Sequence, residues 1–296
     1  MTNHDPNKHP LEASAAAFLR ALAGRNVSPQ TIRAYATDVR QFIAWLRETN
    51  GVVASAGDVS RLDVTEYLAH LAGRGLSGVT RARKLAALRE YFRFLEGIEA
   101  IARSPLAGID TPKREQRGRS YLTPEEYNRL LAAAGGHTRD FCILTLFLQT
   151  GIRISELCAL MLDDVDPKGR TLVVRAGKGQ SARTIELEKK GAQALTSWLR
   201  VRPDTLSAAL FLGRDGQPLK EWGVRDLLAK YCQVAGIKKR ITPHSLRHTF
   251  ASYKAERGVS AFQLKEWLGH RKLDTTQIYV HMAGQNAKKV MEATSL

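Results

Sequence analysis

The sequence predicts a mainly α-helical protein of two domains, with a small β-sheet in the second domain. Amphipathic helical periodicity dominates both halves of the 296-residue chain. A stretch rich in proline, glycine and charged residues separates the halves, and a strand–turn–strand pattern interrupts the second half. We therefore expect an all-helical domain at 1–100, a linker at 101–120 and a mixed, mostly helical domain at 121–296.

Four amphipathic helices make up the predicted first domain. One begins at Ser28 and Pro29, since serine suits the N-cap and proline the first helical position. Its apolar residues then recur with helical spacing, at Ile32, Tyr35, Val39, Phe42, Ile43 and Leu46. The other three helices are expected near 11–24, 63–73 and 79–96.

The charge of the chain predicts a polyanionic partner. Its 45 Lys and Arg against 29 Asp and Glu leave a formal net charge of +16, and such self-repulsion costs stability unless something negative relieves it. Nucleic acid is the first candidate, because the cations are spread along the whole chain, whereas membrane binding favours one cationic amphipathic face. The polar N-terminus and the absence of a run of about 18 apolar residues predict neither a signal peptide nor a membrane span, and hence a cytoplasmic protein.

The helix expected near 79–96 has a basic side that few acidic residues balance. This side could lie along a phosphate backbone, or it could simply face solvent. The candidate DNA-binding residues are Arg81, Arg83, Lys84 and Arg89, together with Arg183 in the second domain.

The second domain is expected to open with a capping box made by Thr123 and Glu126. Strand-like runs on both sides of the Gly-Lys-Gly sequence at 177–179 predict a β-hairpin. This sequence is not a phosphate-binding P-loop, because the earlier glycine and the following Ser or Thr are missing. The three cysteines lie far apart in apolar surroundings, which favours reduced core thiols over a disulfide framework.

Four fragments of the second domain are richer in polar chemistry than packing requires: TGIRISEL at 150–157, AGKGQSART at 176–184, TPHSLRHTFAS at 242–252 and LGHRKLDTTQIYVHM at 268–282. Simpler explanations exist for each. Arg153 could form an i,i+3 ion pair with Glu156, Lys178 could be a solvated hairpin residue, and Tyr279 could be a buried aromatic. His244 and His248 could bind a metal, but no glutamate or cysteine completes a zinc pattern, so we expect no metal.

Local geometry favours bringing these side chains together. His244 and Arg247 are three residues apart and share a helix face. His270 and Tyr279 flank a break between two short helices, the first of which ends at Gly269. Paired guanidinium donors suit phosphate oxygens, a tyrosine nucleophile needs cationic neighbours, and a lysine can protonate a departing sugar oxygen. Together the residues could attack a phosphodiester without a metal or another cofactor.

In this order and spacing, the fragments resemble the motifs of the tyrosine recombinase (phage integrase) family, and especially its Xer-like members. Each motif is short, but the set is specific and the resemblance covers about the whole chain. The matching positions are Arg153 in TGxRxSEL, Lys178 in the hairpin GKG, His244 and Arg247 in HxLRH, His270 in LGH and Tyr279 in TTxxYxH.

The resemblance implies a site-specific DNA recombinase that needs neither ATP nor a cofactor. Tyr279 would cleave one strand, leaving a 3′-phosphotyrosyl bond and a free 5′ hydroxyl that attacks the partner duplex. The implied roles of the other residues are a phosphate clamp for Arg153 and Arg247, a general acid for Lys178, and support of the scissile phosphate and of proton transfers for His244 and His270.

The resemblance also implies an architecture and partners. The first domain is similar to the family's SAM-like core-binding domain, and the two domains would form a C-shaped clamp around a double-stranded DNA target site. Family members act as homo-tetramers on paired sites and exchange a C-terminal segment, for which 286–296 is the candidate. A second recombinase or an accessory protein stays open as a further partner.

Two other functions remain open from the sequence. A type IB topoisomerase shares this chemistry but relaxes supercoils without exchanging strands between duplexes. A non-catalytic DNA-binding regulator could use the same fold, although the complete set of six polar residues argues against it.

Overall fold

The computed structural model describes residues 10–25, 27–51, 55–113, 121–175 and 182–269. The chain divides into two compact units, Met1–Arg117 and Gly118–Leu296. Helices dominate the described part of both units, and all the strands described belong to one small sheet in the second. The prediction of a mainly helical fold with a small sheet is confirmed.

The described part of the first unit contains four α-helices: α1 (Leu11–Gly24), α2 (Pro29–Asn50), α3 (Arg61–Gly73) and α4 (Gly78–Gly97). All four were expected from periodicity. The Ser28 hydroxyl accepts a hydrogen bond from the backbone N–H of Thr31 at 3.1 Å, so serine caps α2 as predicted. The apolar sides of the helices meet in one core, at whose centre Phe42, Tyr91 and Phe92 are fully buried.

The chain after α4 continues to pack against this core. Ile101 and Leu106 are buried in it, and Arg89 donates to the backbone oxygen of Ile109 and, at 2.8 Å, to the hydroxyl of Thr111. The predicted linker at 101–120 therefore begins with residues that belong to the first unit. Periodicity could not reveal this, because irregular chain can also bury apolar side chains.

The second unit contains, in chain order, α5 (Pro124–Ala134), α6 (Thr138–Thr150), α7 (Ile154–Cys158), β1 (Val165–Asp166), β2 (Thr171–Val174), β3 (Arg183–Glu186), α8 (Lys189–Val201), α9 (Glu221–Val234), α10 (Pro243–Glu256) and α11 (Ala261–Leu268). Thr123 and Glu126 form the predicted capping box at the start of α5. Helix α6 is the centre of the core: Ile143, Leu146 and Phe147 are fully buried, and α5, α8 and α10 pack around it.

The three strands form an antiparallel sheet in the order β1-β2-β3. Val174 at the end of β2 pairs with Arg183 at the start of β3, which confirms the two strand-like runs. The turn that carries Lys178 lies outside the described residues.

Two further sequence expectations concern thiols and membranes. The three cysteines are free, and burial raises the pKa of Cys158 and of Cys232 to about 11, so these thiols are poor nucleophiles at neutral pH. Within the described residues, no helix is both long and apolar enough to cross a membrane. The cytoplasmic location stays a prediction.

Candidate active site

The structure describes half of the predicted catalytic residues. Arg153, His244 and Arg247 can be placed, whereas Lys178, His270 and Tyr279 lie outside the described residues and their positions stay predictions.

A tight turn after α6 delivers Arg153 to the site. Gly151 ends α6 with φ +61°, a left-handed backbone that favours glycine. Space demands glycine as well, since an added Cβ would lie 2.5 Å from Cδ1 of Phe250 and 2.8 Å from Cδ2 of Leu268. Ile152 is fully buried beside it, and Arg153 then occupies the N-cap position of α7.

Glu156 binds both the side chain and the backbone of Arg153. Its Oε1 accepts from Nη1 of Arg153 and its Oε2 from the backbone N–H of Arg153, each at 2.8 Å. The i,i+3 ion pair weighed from the sequence is therefore present. A second contact orients the guanidinium, since Nη2 donates to the backbone oxygen of Gly269 at 3.0 Å, and the Arg153 side chain remains 28% exposed.

Arg183 binds the same carboxylate. Its Nη1 and Nη2 donate to Oε1 and Oε2 of Glu156 at 3.0 and 2.8 Å, and its Nε donates to the backbone oxygen of Trp267 at 2.9 Å. The Arg183 side chain is only 10% exposed. This placement corrects the expectation that Arg183 contacts DNA, because its guanidinium is buried in an internal ion pair.

The two arginines hold Glu156 in its charged form. Burial alone would raise the pKa of the Glu156 carboxyl, but hydrogen bonds from Arg183 and from the Arg153 backbone, together with both positive charges, lower the pKa to about 2. Glu156 therefore stays ionised at neutral pH and links the two guanidinium groups.

Arg247 reaches the same region from α10. It is only 4% exposed, and its Nη1 donates to the backbone oxygen of Gly151 at 2.7 Å. Its Nη2 donates to the backbone oxygen of Leu268. Arg247 thus joins the turn that precedes Arg153 to the end of α11.

Three arginines meet at the C-terminal end of α11. Its consecutive backbone oxygens each accept from a different guanidinium, Trp267 from Arg183, Leu268 from Arg247 and Gly269 from Arg153. A helix C-terminus has unpaired carbonyls and a partial negative charge, so it attracts cations. The predicted convergence of Arg153 and Arg247 is therefore present in the structure, at the residues that immediately precede His270.

His244 lies in the first turn of α10, where its Nε2 is 3.1 Å from Nε2 of His248 and the two rings meet edge to face. A hydrogen bond between two imidazole nitrogens needs one donor and one acceptor, so the pair can share a proton. The i,i+4 spacing was visible in the sequence, where a metal site was considered for the two histidines and not expected. Among the described side chains, no group of three or more His, Cys, Asp and Glu could hold a metal ion.

Two of the cations predicted to bind DNA in the first unit serve internal contacts. Lys84 is buried, with its side chain 6% exposed, and its Nζ donates to Oδ1 of Asp38 on α2 at 2.9 Å. This corrects the expectation for Lys84, because a buried, paired ammonium cannot contact a phosphate. Arg89 contacts the chain after α4, as described above. Arg83 also pairs with Asp38 but is half exposed, so Arg83 and Arg81 stay candidates.

Comparisons with known proteins support the same interpretation. The phage integrase family matches residues 120–286, and the phage integrase N-terminal SAM-like domain matches residues 15–97. A tyrosine recombinase from Pseudothermotoga lettingae is 34% identical over 265 residues, which cover 88% of this chain and 90% of the relative. Tyrosine recombinase XerC from Pelobacter propionicus is 35% identical over 280 residues, 93% of this chain and 92% of that protein.

Solved structures show the same fold. The crystal structure of XerA recombinase matches with a TM-score of 0.55 and 26% identity, over 96% of this chain and 98% of that one. A lambda integrase tetramer bound to a Holliday junction matches with a TM-score of 0.78 and 19% identity, over 93% of this chain and 78% of that one. The chain therefore belongs to the phage integrase family and is a Xer-like, site-specific tyrosine recombinase.

Proposed function

We propose that the chain cleaves and rejoins DNA strands through a 3′-phosphotyrosyl intermediate in which Tyr279 is the nucleophile. The observation that carries this proposal is the meeting of Arg153 and Arg247 at the backbone oxygens of Leu268 and Gly269. These contacts gather two guanidinium groups from distant parts of the chain beside the segment that leads to His270 and Tyr279.

The two arginines bind the scissile phosphate. Each guanidinium offers planar N–H donors that match two phosphate oxygens, and negative charge on those oxygens increases in the pentacovalent state. Arg247 is almost fully buried, so water screens its charge little and its effect on that state is stronger than at the surface. Removing either guanidinium therefore slows cleavage more than it weakens DNA binding.

Each step of the strand transfer breaks one phosphoester bond and forms another. The phenol oxygen of Tyr279 attacks the phosphorus, the bond to the 5′ oxygen breaks, and Lys178 donates a proton to that oxygen. The tyrosine proton passes to a base, for which His270 and His244, paired with His248, are the candidates. Attack by a 5′ hydroxyl then reverses these steps and releases the tyrosine, so neither ATP nor a cofactor is required.

The partners are a double-stranded DNA target site and further copies of this chain. The net charge of +16 supports a polyanionic partner. A homo-tetramer on paired sites is supported by the match to a lambda integrase tetramer bound to a Holliday junction. Exchange of the segment at 286–296 within that tetramer is implied by the family resemblance. A second recombinase or an accessory protein is a further partner to test. Adduct formation by the purified chain alone would show that cleavage needs neither.

The test is denaturant trapping of covalent adducts on fragmented DNA from the source genome. The native chain should form adducts at one recurring sequence, and Tyr279→Phe should form none. Tyr253→Phe is the matched control, because it also removes one tyrosine hydroxyl from the second unit, one that donates to the backbone oxygen of Leu122. Adducts that persist in Tyr279→Phe would contradict the proposal.

A second assay separates strand exchange from simple relaxation. Two plasmids that carry the captured sequence are incubated with the native chain, and the products are sized after restriction. We expect recombinant molecules whose junction lies at the captured site. Relaxed plasmids without recombinants would instead indicate a topoisomerase.

A further inference from the structure

We propose that Arg183 is a positioning residue of this active site: through Glu156, it orients Arg153 toward the scissile phosphate and keeps the end of α11 beside it. This rests on the proposed function, since it assigns Arg183 a part in the same phosphoryl transfer. Arg183 does not touch the phosphate in this proposal, and its effect passes through the residues that do.

The contacts of Arg183 give its side chain a single orientation. All three of its guanidinium nitrogens donate to internal acceptors at 2.8 to 3.0 Å, two to the carboxylate of Glu156 and one to the backbone oxygen of Trp267. A planar guanidinium bonded at three points has little freedom to rotate, and a lysine could not reproduce the three directions.

Glu156 transmits this orientation to Arg153. Each oxygen of Glu156 accepts one hydrogen bond from Arg183 and one from Arg153. Because the carboxylate lies between the two arginines, any shift of Glu156 also moves the guanidinium of Arg153. The backbone of Arg153 is bound as well, so the whole residue is oriented by this carboxylate.

The charges lead to the same conclusion. Without Arg183, the negative charge of Glu156 would be balanced by Arg153, and a phosphate would meet an ion pair of zero net charge. With Arg183 present, the three groups carry a net positive charge. Of the two guanidinium groups, that of Arg153 is the more exposed, at 28% against 10% for Arg183.

Arg183 also joins the chain segments that carry the proposed catalytic residues. It is the first residue of β3, five positions after Lys178 in the hairpin. Its bond to Trp267 lies in the last turn of α11, three positions before His270. Through Glu156 it contacts α7, which begins directly after Arg153. One guanidinium therefore connects the start of β3, α7 and the last turn of α11.

The experiment uses the full chain and the duplex recovered by Tyr279-dependent trapping. A nick near the cleavage position lets the short 5′-hydroxyl fragment diffuse away, so each cleavage leaves one permanent adduct. The rate constant of adduct formation at saturating duplex is measured beside the dissociation constant and the thermal midpoint. For Arg183→Gln and Arg183→Lys we expect a rate lowered by about 10- to 100-fold with affinity within about 3-fold of native, the signature of lost transition-state stabilisation.

Arg139→Lys is the matched control. Arg139 lies in the same unit, and like Arg183 it joins a carboxylate, that of Asp140, to a backbone oxygen, that of Leu212, at 2.8 Å each. Its loss should lower the thermal midpoint without changing the rate of adduct formation at saturating duplex.

A double variant tests the charge argument. Glu156→Gln combined with Arg183→Gln removes both charges but keeps an amide oxygen that can accept from Arg153. We expect this variant to form adducts about 3- to 10-fold faster than Arg183→Gln alone, because the carboxylate that neutralises Arg153 is gone. If Arg183→Gln does not fold, the rate of the double variant is compared with that of Arg183→Lys instead.

A native rate at saturating duplex in both Arg183 variants would overturn the proposal. If stability and affinity fell while that rate stayed native, Arg183 would be a purely structural residue. Failure of the native chain to form any adduct would instead contradict the proposed function itself, so the two failures are distinguishable.

Discussion

The charge of Glu156 depends on two neighbouring arginines. Its pKa is about 2 in the folded chain, below the ordinary value of 4.5, so the folded state binds fewer protons than the unfolded state between these values. The stability that Glu156 contributes is therefore fully present above about pH 4.5 and is lost as the pH falls toward 2.

This dependence predicts the behaviour of Glu156→Gln. At pH 7 the variant should lose about 3 kcal/mol of unfolding free energy, because Arg153 and the nearly buried Arg183 lose their shared counter-charge. At pH 3 the deficit should be smaller, since part of the contribution of Glu156 is already lost in the native chain. Urea unfolding at both pH values measures this, with Glu186→Gln on the exposed side of β3 as the control. A deficit that is equal at both pH values would refute the linkage.

Gly269 is the other residue at which geometry makes a sharp prediction. Its φ of +61° strains any residue with a Cβ, and a Cβ here would lie 3.1 Å from Nη1 of Arg183. Gly258 has a φ of +84° but nothing within 4 Å of the same position. Both Gly→Ala variants should lose about 1 kcal/mol of stability from backbone strain, but only Gly269→Ala should also slow adduct formation. Equal rates in the two variants would show that the arginine cluster tolerates the extra methyl group.

At the scale of elements, the sequence predicted what depends on near neighbours. Helical periodicity, proline at first turns, and capping boxes act over three or four residues. The four helices of the first unit, the start of α5, the two main strands and the ion pair of Arg153 with Glu156 could therefore be predicted. Glu156 and Arg183 are 27 positions apart, and Arg183 and Trp267 are 84 apart. No local pattern encodes such contacts, so the internal pairing of Arg183 could not be predicted from the sequence.

The packing of α2 on α4 contains another long-range ion pair that local sequence patterns do not encode. Lys84 lies on the buried side of α4, where its charge is paired with Asp38, whereas Arg83 reaches the same carboxylate from a half-exposed position. Lys84→Met should cost about 3 kcal/mol of stability, because it leaves a buried carboxylate with weaker compensation. Arg83→Met should cost about 1 kcal/mol or less. Chemical unfolding of both variants measures the difference, and equal losses would contradict the burial of this ion pair.

At the scale of the whole molecule, the excess of 16 positive charges predicts that DNA binding weakens as salt is added. Each phosphate that the protein neutralises releases counterions, so the logarithm of affinity should fall with the logarithm of salt concentration, with a slope of about 0.9 per phosphate contacted. We expect a steep slope on both the captured duplex and an unrelated one, because phosphate contacts carry no sequence information.

The salt slope of each single variant shows whether the replaced residue contacts a phosphate. If Arg81 contacts a phosphate, Arg81→Ala should lower the slope by about 1 on both duplexes and leave their affinity ratio unchanged. Lys84→Met should leave the slope at its native value, because the Lys84 ammonium is paired internally. Titrations from about 50 to 200 mM salt decide between these outcomes. An unchanged slope in Arg81→Ala would move the phosphate contacts to other cations, whereas a flat response in the native chain would contradict the electrostatic basis of DNA binding.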